Sequence, residues 1–106
     1  MFETLRQVVD LIRAGQVLIS THGYDEMADD GILAAEAIDG AAAAVVVEDY
    51  PEYVKGPCTL VLQRDRSGRP IHAVWGIPRG QVAPAVLVAA YRPDPARWTE
   101  DFLRRR

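Results

Sequence analysis

The sequence predicts an α+β fold in which N-terminal helices pack on a four-stranded antiparallel meander sheet, with a C-terminal helix after it. Three observations carry this. Apolar residues recur at helical spacing as far as Asp39. From Ala43 the pattern changes to β-branched runs and alternation, broken by turns short enough for hairpins, which make antiparallel neighbours. Asp94-Pro95, a capping residue followed by proline, then predicts one more helix start. Helices segregated from an antiparallel sheet give an α+β layer fold.

Each element has its own signal. Phe2, Leu5, Val8, Val9 and Ile12 form one apolar face, and Gly15 stops a first helix over residues 2–14. Val17-Leu18-Ile19 is too short to classify and reads as an extended link. Ser20 or Thr21 can cap a second helix, with Asp25 and Glu26 in its early turns and Gly31 at its end. Leu33, Ala37 and Ile38 mark a short third helix over residues 33–39. Strands are predicted at Ala43–Glu48, Thr59–Asp65, Ile71–Ile77 and Val82–Tyr91, with Pro84 implying an edge or a bulge near the start of the last. Trp98 and Phe102, four apart, give the final helix an apolar stripe that folds back onto the sheet.

At 106 residues the chain is the size of one domain, and no linker or repeat divides it. Hydrophobic residues at 49% and charged residues at 25% exclude a disordered or collagenous chain. The longest apolar run, Ala41–Val47, is far too short to span a membrane. Cys58 stands alone, so no internal disulfide can form, and the first residues show no secretory pattern; a reducing, cytoplasmic setting is the expectation. Charge is uneven: residues 1–56 carry three basic side chains against eleven carboxylates, and residues 57–106 carry nine arginines against four. Such asymmetry fits either two halves that neutralise each other or a basic surface for nucleic acid.

Two histidines could move protons near neutral pH. Alternation puts Ile71, Ala73, Trp75 and Ile77 on one face of their strand and His72 on the other, with Thr59, Val61 and Gln63 expected beside it. His72 is there either a general acid or base, or a histidine bonded to a neighbouring strand or loop. His22 has Asp25 and Glu26 three and four residues on, an arrangement that suits an oriented base and equally a tether between helix and sheet. Tyr91 and Arg92 close the last strand; they could serve as an acid and a phosphate stabiliser, or Tyr91 could pack over Trp98. No metal is expected, because two histidines fifty residues apart and a lone cysteine match no ligand spacing. No cofactor motif is present, and Cys58 has no charged neighbour that would activate it.

His22-Gly23-Tyr24-Asp25-Glu26-Met27, then Ile32, Glu48-Asp49-Tyr50-Pro51, Pro57-Cys58-Thr59-Leu60-Val61-Leu62, Gly68-Arg69-Pro70-Ile71-His72-Ala73-Val74 and Tyr91-Arg92-Pro93-Asp94-Pro95 with Trp98 together resemble the bacterial domain-of-unknown-function family numbered 4258, over about residues 15–103. That family is similar in layout to small RelE-like toxins, whose open sheet face binds and cleaves RNA. The resemblance implies metal-independent RNA cleavage, with His72 and His22 exchanging protons, Tyr91 and Arg92 assisting, and Arg64, Arg66 and Arg69 holding the RNA. It also implies an antitoxin-like small protein as partner. One departure stands against it: many members carry arginines where this chain has Glu26 and Asp30, which would repel phosphate. The alternative is a non-catalytic protein-binding module of the same fold, working through its sheet edge or acidic helices.

Overall fold

The computed structural model describes residues 2–106. Its elements are α1 (Glu3–Arg13), β1 (Val17–Ile19), α2 (Thr21–Asp30), α3 (Ala34–Asp39), a 3-10 turn (Gly40–Ala43), β2 (Val45–Tyr50), β3 (Cys58–Arg64), β4 (Pro70–Gly76) and β5 (Ala85–Tyr91). The three helices fall where the sequence puts them. Ser20 is the cap of α2: its hydroxyl oxygen accepts from the Gly23 N–H at 2.9 Å. Gly31, at φ +66°, ends that helix in the left-handed conformation that glycine adopts without penalty.

The sheet has five strands rather than four and is mixed rather than purely antiparallel, in the order β1-β5-β4-β3-β2. The meander β2 to β5 is as expected. The added strand is Val17–Ile19, which runs parallel to β5 in the register Val17↔Ala85 to Ile19↔Leu87. Its partner lies almost seventy residues away, and three residues carry no periodicity of their own. β5 itself begins at Ala85; Val82 is fully solvated.

The predicted C-terminal helix is absent. After Asp94-Pro95 the chain makes a single turn, in which the Arg97 and Trp98 N–H groups both reach the Asp94 carbonyl. The Asp101 carboxylate then accepts from the Thr99 hydroxyl at 2.6 Å and the Leu103 N–H at 3.0 Å, competing with helical bonding. Phe102, at φ +61°, reverses the chain, so that residues 97–106 double back on themselves with Trp98 bridged to Arg105. Trp98 is buried and Phe102 half-buried, so the expected stripe is not formed.

The core lies between the helices and one sheet face. Leu5 and Val8 of α1, Met27 of α2, Ile32, Ala37 and Ala41 pack on Val61, Ile71, Ala73, Trp75, Leu87 and Ala90. Gln63, expected beside His72, is instead in this layer: its Oε1 accepts from Trp75 Nε1 at 3.2 Å and its amide donates to the Ala37 carbonyl. The register explains this, since Thr59, Val61 and Gln63 pair with Trp75, Ala73 and Ile71. Two bulges set what the opposite face presents. The irregularity between Val46 and Glu48 lets Val46 face the core while Glu48 and Tyr50 turn to the other side. The extra residue in β5, opposite Val74 and Trp75, lets both Leu87 and Ala90 point into the core.

Candidate functional site

The face turned away from the helices is built of cross-strand rows. Leu62, His72 and Tyr91 form the first. Glu48, Leu60, Val74 and Ala89 form the second, and Tyr50, Cys58, Gly76 and Val86 the third. Residues 93–106 cover His72 in the first row. Val74 of the second row and Cys58, Gly76 and Val86 of the third floor a groove of about 380 Å³, walled by Tyr53, Lys55, Gly56 and Pro57 on one side and Val88 on the other. A second hollow of about 280 Å³ continues it past Tyr53, Cys58 and Val74 to Glu48, Tyr50, Tyr91 and Arg105. Gly56 seats the wall. At φ +119° it lies so close to the β4–β5 connection that a Cβ would strike the Ile77 carbonyl and the Arg79 N–H.

His72 lies on the face opposite Trp75, as alternation requires, but it is completely buried. Its ring meets Trp98 edge-on at 4.5 Å between centroids and Tyr91 at 5.9 Å. Nε2 lies 2.8 Å from the Phe102 carbonyl, while Nδ1 has no partner among the described residues. Burial pushes its pKa down; the Phe102 bond and the charge of Glu48 oppose that, and Arg105 adds to it. Above the ring, Arg105 stacks on Trp98 at 4.7 Å and grips both oxygens of Glu48, at 2.8 and 3.0 Å. Arg105, together with the Tyr50 hydroxyl, holds the Glu48 carboxyl below its usual range. Burial raises the phenol of Tyr91 and the thiol of Cys58, so both keep their protons at neutral pH.

The other candidates are not gathered around this ring. His22 is exposed on α2, with Nε2 3.5 Å from one oxygen of Glu26. The other oxygen of Glu26 accepts from the Ala90 N–H at 3.1 Å, and Asp30 accepts from the Arg92 N–H at 2.8 Å. These two carboxylates therefore close the edge of β5 beyond the point where β1 stops pairing. Sequence reasoning assigned Glu26 to the start of its helix and to His22, and read both carboxylates as repelling phosphate, but gave neither to this strand edge. Their spacing was the available signal: four residues of helix rise about 6 Å, close to the ~6.6 Å between alternate N–H groups of a strand.

Arg92 is spent on structure. Its guanidinium bonds Asp65 at 2.9 Å and the Pro70 carbonyl at 3.2 Å, in a pair whose side chains are 16% and 8% exposed. Asp65 also accepts from the backbone N–H groups of Arg69 and Ser67; the first of these, with Arg92, keeps its carboxyl below the ordinary value. Arg64 donates to the Gly68 carbonyl, and Arg66 reaches Asp39 across an exposed 3.3 Å. The Arg69 side chain makes no polar contact among the described residues. Arg64, Arg66, Arg69 and Arg92 thus gather around the β3–β4 hairpin, and three of them are already paired. Among the described residues no three histidine, cysteine or carboxylate side chains cluster to hold a metal.

A family model described as "Domain of unknown function (DUF4258)" matches residues 19–92. The chain belongs to the DUF4258 family. The match takes in α2, α3 and strands β2 to β5, hence the groove, and ends at Arg92, just before the segment that covers His72. No curated protein and no solved structure matches the chain. Among the described residues of this DUF4258 protein no helix is long and apolar enough to cross a membrane.

Proposed function

We propose that this DUF4258 protein is a non-catalytic binding module whose open sheet face takes an extended segment of a partner protein. The observation that carries the reading is the groove over Cys58, Val74, Gly76 and Val88: an apolar trough on the face that the helices leave free. Its two hollows join end to end at Tyr53, Cys58 and Val74, a shape that suits a chain more than a compact ligand. Lys55 stands at one end, and the Glu48–Arg105 pair at the other. The matching segment presents two or three apolar side chains with a carboxylate placed for Lys55. Affinity comes from burying those side chains, and register from the charges at the ends.

This reading moves the interface away from the acidic helices, because Glu26 and Asp30 are occupied by β5. The ribonuclease reading, drawn from the likeness to RelE-like toxins, retains one observation in its favour: His72, Tyr91 and Arg105 lie at one end of the same face. Against it, His72 is sealed and Arg92 is paired.

The test is selection of a displayed peptide library on the parent protein, followed by binding to Val88→Glu, which puts a charge on the groove wall at an exposed position. Apolar peptides that bind the parent and lose at least tenfold on Val88→Glu support the module. A selection that yields no peptide, alongside salt-sensitive binding and cleavage of a labelled RNA in the presence of chelator, overturns it in favour of the ribonuclease.

A further inference from the structure

We propose that residues 93–106 form a releasable strap, which closes over His72 to shorten the groove and lifts when His72 takes up a proton. Lifting would uncover His72, beside Tyr91 at the end of the second hollow, and so lengthen the trough. The regulatory consequence rests on the groove being a binding site; the release itself does not.

Four observations support the strap. It lies outside the part of the chain that the family model matches. It is folded on itself, with the Thr99 N–H on the Arg104 carbonyl at 2.8 Å and the Arg106 N–H on the Arg97 carbonyl at 2.9 Å, so these bonds survive if it moves as a unit. Its aromatic and polar ties to the sheet include the Trp98 ring on His72, the Phe102 carbonyl on Nε2 and Arg105 on Glu48. Arg105 also walls the second hollow, so strap and groove share a side chain.

The trigger is the unpartnered Nδ1. With the strap closed, a carbonyl occupies Nε2 and requires the proton there. A second proton on Nδ1 would be a buried N–H with no acceptor, whereas in the open state water satisfies it. The charged and titratable groups facing the ring are Glu48 of β2, Tyr91 of β5 and Arg105 of the strap; β3 offers only Leu62 beside it. Glu48 favours the imidazolium but is already held by Arg105 and the Tyr50 hydroxyl, and Tyr91 stays neutral. One proton taken up on opening raises the open population by at most about tenfold per pH unit below ~6.5.

The experiment is NMR of the unliganded protein from pH 8 to pH 5, following the His72 ring and its through-space contact with Trp98. The expected result is loss of the His72–Trp98 contact in step with titration of His72, with a midpoint below ~6.5. His72→Gln, which keeps a donor for Phe102 but cannot titrate, holds the strap closed throughout. In Trp98→Ala the midpoint of His72 moves up toward ~6.5, a readout that stands even if the glutamine variant does not fold. Titration of His72 with the Trp98 contact intact overturns the proposal, as does equal opening in His72→Gln or an unmoved midpoint in Trp98→Ala. Because no ligand is present, failure here is separate from failure of the groove to bind peptide.

Discussion

The imidazole of His72 donates its Nε2 proton to the carbonyl oxygen of Phe102 across 2.8 Å, thirty residues further along the chain. A carbonyl can only accept, so this contact holds a proton on Nε2; burial beneath Trp98, with no acceptor for Nδ1 among the described residues, is what favours the neutral ring. A histidine whose pKa is depressed by burial stabilises the fold at pH values above its unfolded value, and that contribution is lost as pH falls through ~6.5 toward the folded value. Glu48 does not interfere in this window, since its lowered pKa delays its own loss until more acid conditions. Urea unfolding should therefore show lower stability at pH 5.5 than at pH 7.5, and His72→Gln should flatten that difference.

Trp98 is 4% exposed, and its ring joins His72 to Arg105. Trp98→Ala should cost about 3–5 kcal/mol if unfolding is cooperative with the strap. A smaller loss, with β4 and β5 unchanged in hydrogen exchange, is expected if the strap unfolds by itself. Denaturant titration combined with exchange separates the two.

Glu26 and Asp30 should behave as edge caps. Glu26→Ala strands the Ala90 N–H and should cost about 1–3 kcal/mol, while Glu26→Gln, which still offers an acceptor oxygen, should cost less. Melting curves of the two variants check this. Equal losses would assign the role of Glu26 to its charge instead.

Arg92→Ala should lower the melting temperature, because it leaves the Asp65 carboxylate buried without its partner. Arg69→Ala should leave stability within about 0.5 kcal/mol. The ribonuclease reading expects both variants to fold like the parent and to lose RNA affinity.

Gly56→Ala should cost about 1–3 kcal/mol for the backbone conformation alone, and the clash with residues 77–79 adds to it. The Tyr53–Pro57 wall should loosen, which hydrogen exchange of the Gly56 and Arg79 amides would show, since each is bonded within that corner.

Much of the fold was legible locally. Helical spacing placed α1 to α3, Ser20 and Gly31 marked the ends of α2, and alternation placed His72 opposite Trp75. The errors in the sheet were of non-local origin. β1 exists only because β5 offers it an edge, and Gln63 changed faces because register, not alternation within one strand, decides what lies beside His72. Asp94-Pro95 does open a turn, but Thr99 and Asp101 draw backbone bonds to their side chains and Phe102 reverses the chain before a helix can form. The site suffered most. A histidine on the free face reads as accessible until a segment thirty residues away is known to cover it, and an arginine beside a tyrosine reads as free until Asp65 is seen against it.

The open groove is the centre of this account, and an NMR shift map of the parent protein with a selected apolar peptide tests it most directly. The account predicts shifts concentrated at Tyr53, Cys58, Val74, Gly76 and Val88, with α1 and the β3–β4 hairpin unmoved. Shifts centred on Arg64, Arg66 and Arg69, or the same peptide bound equally well by Val88→Glu, would contradict it.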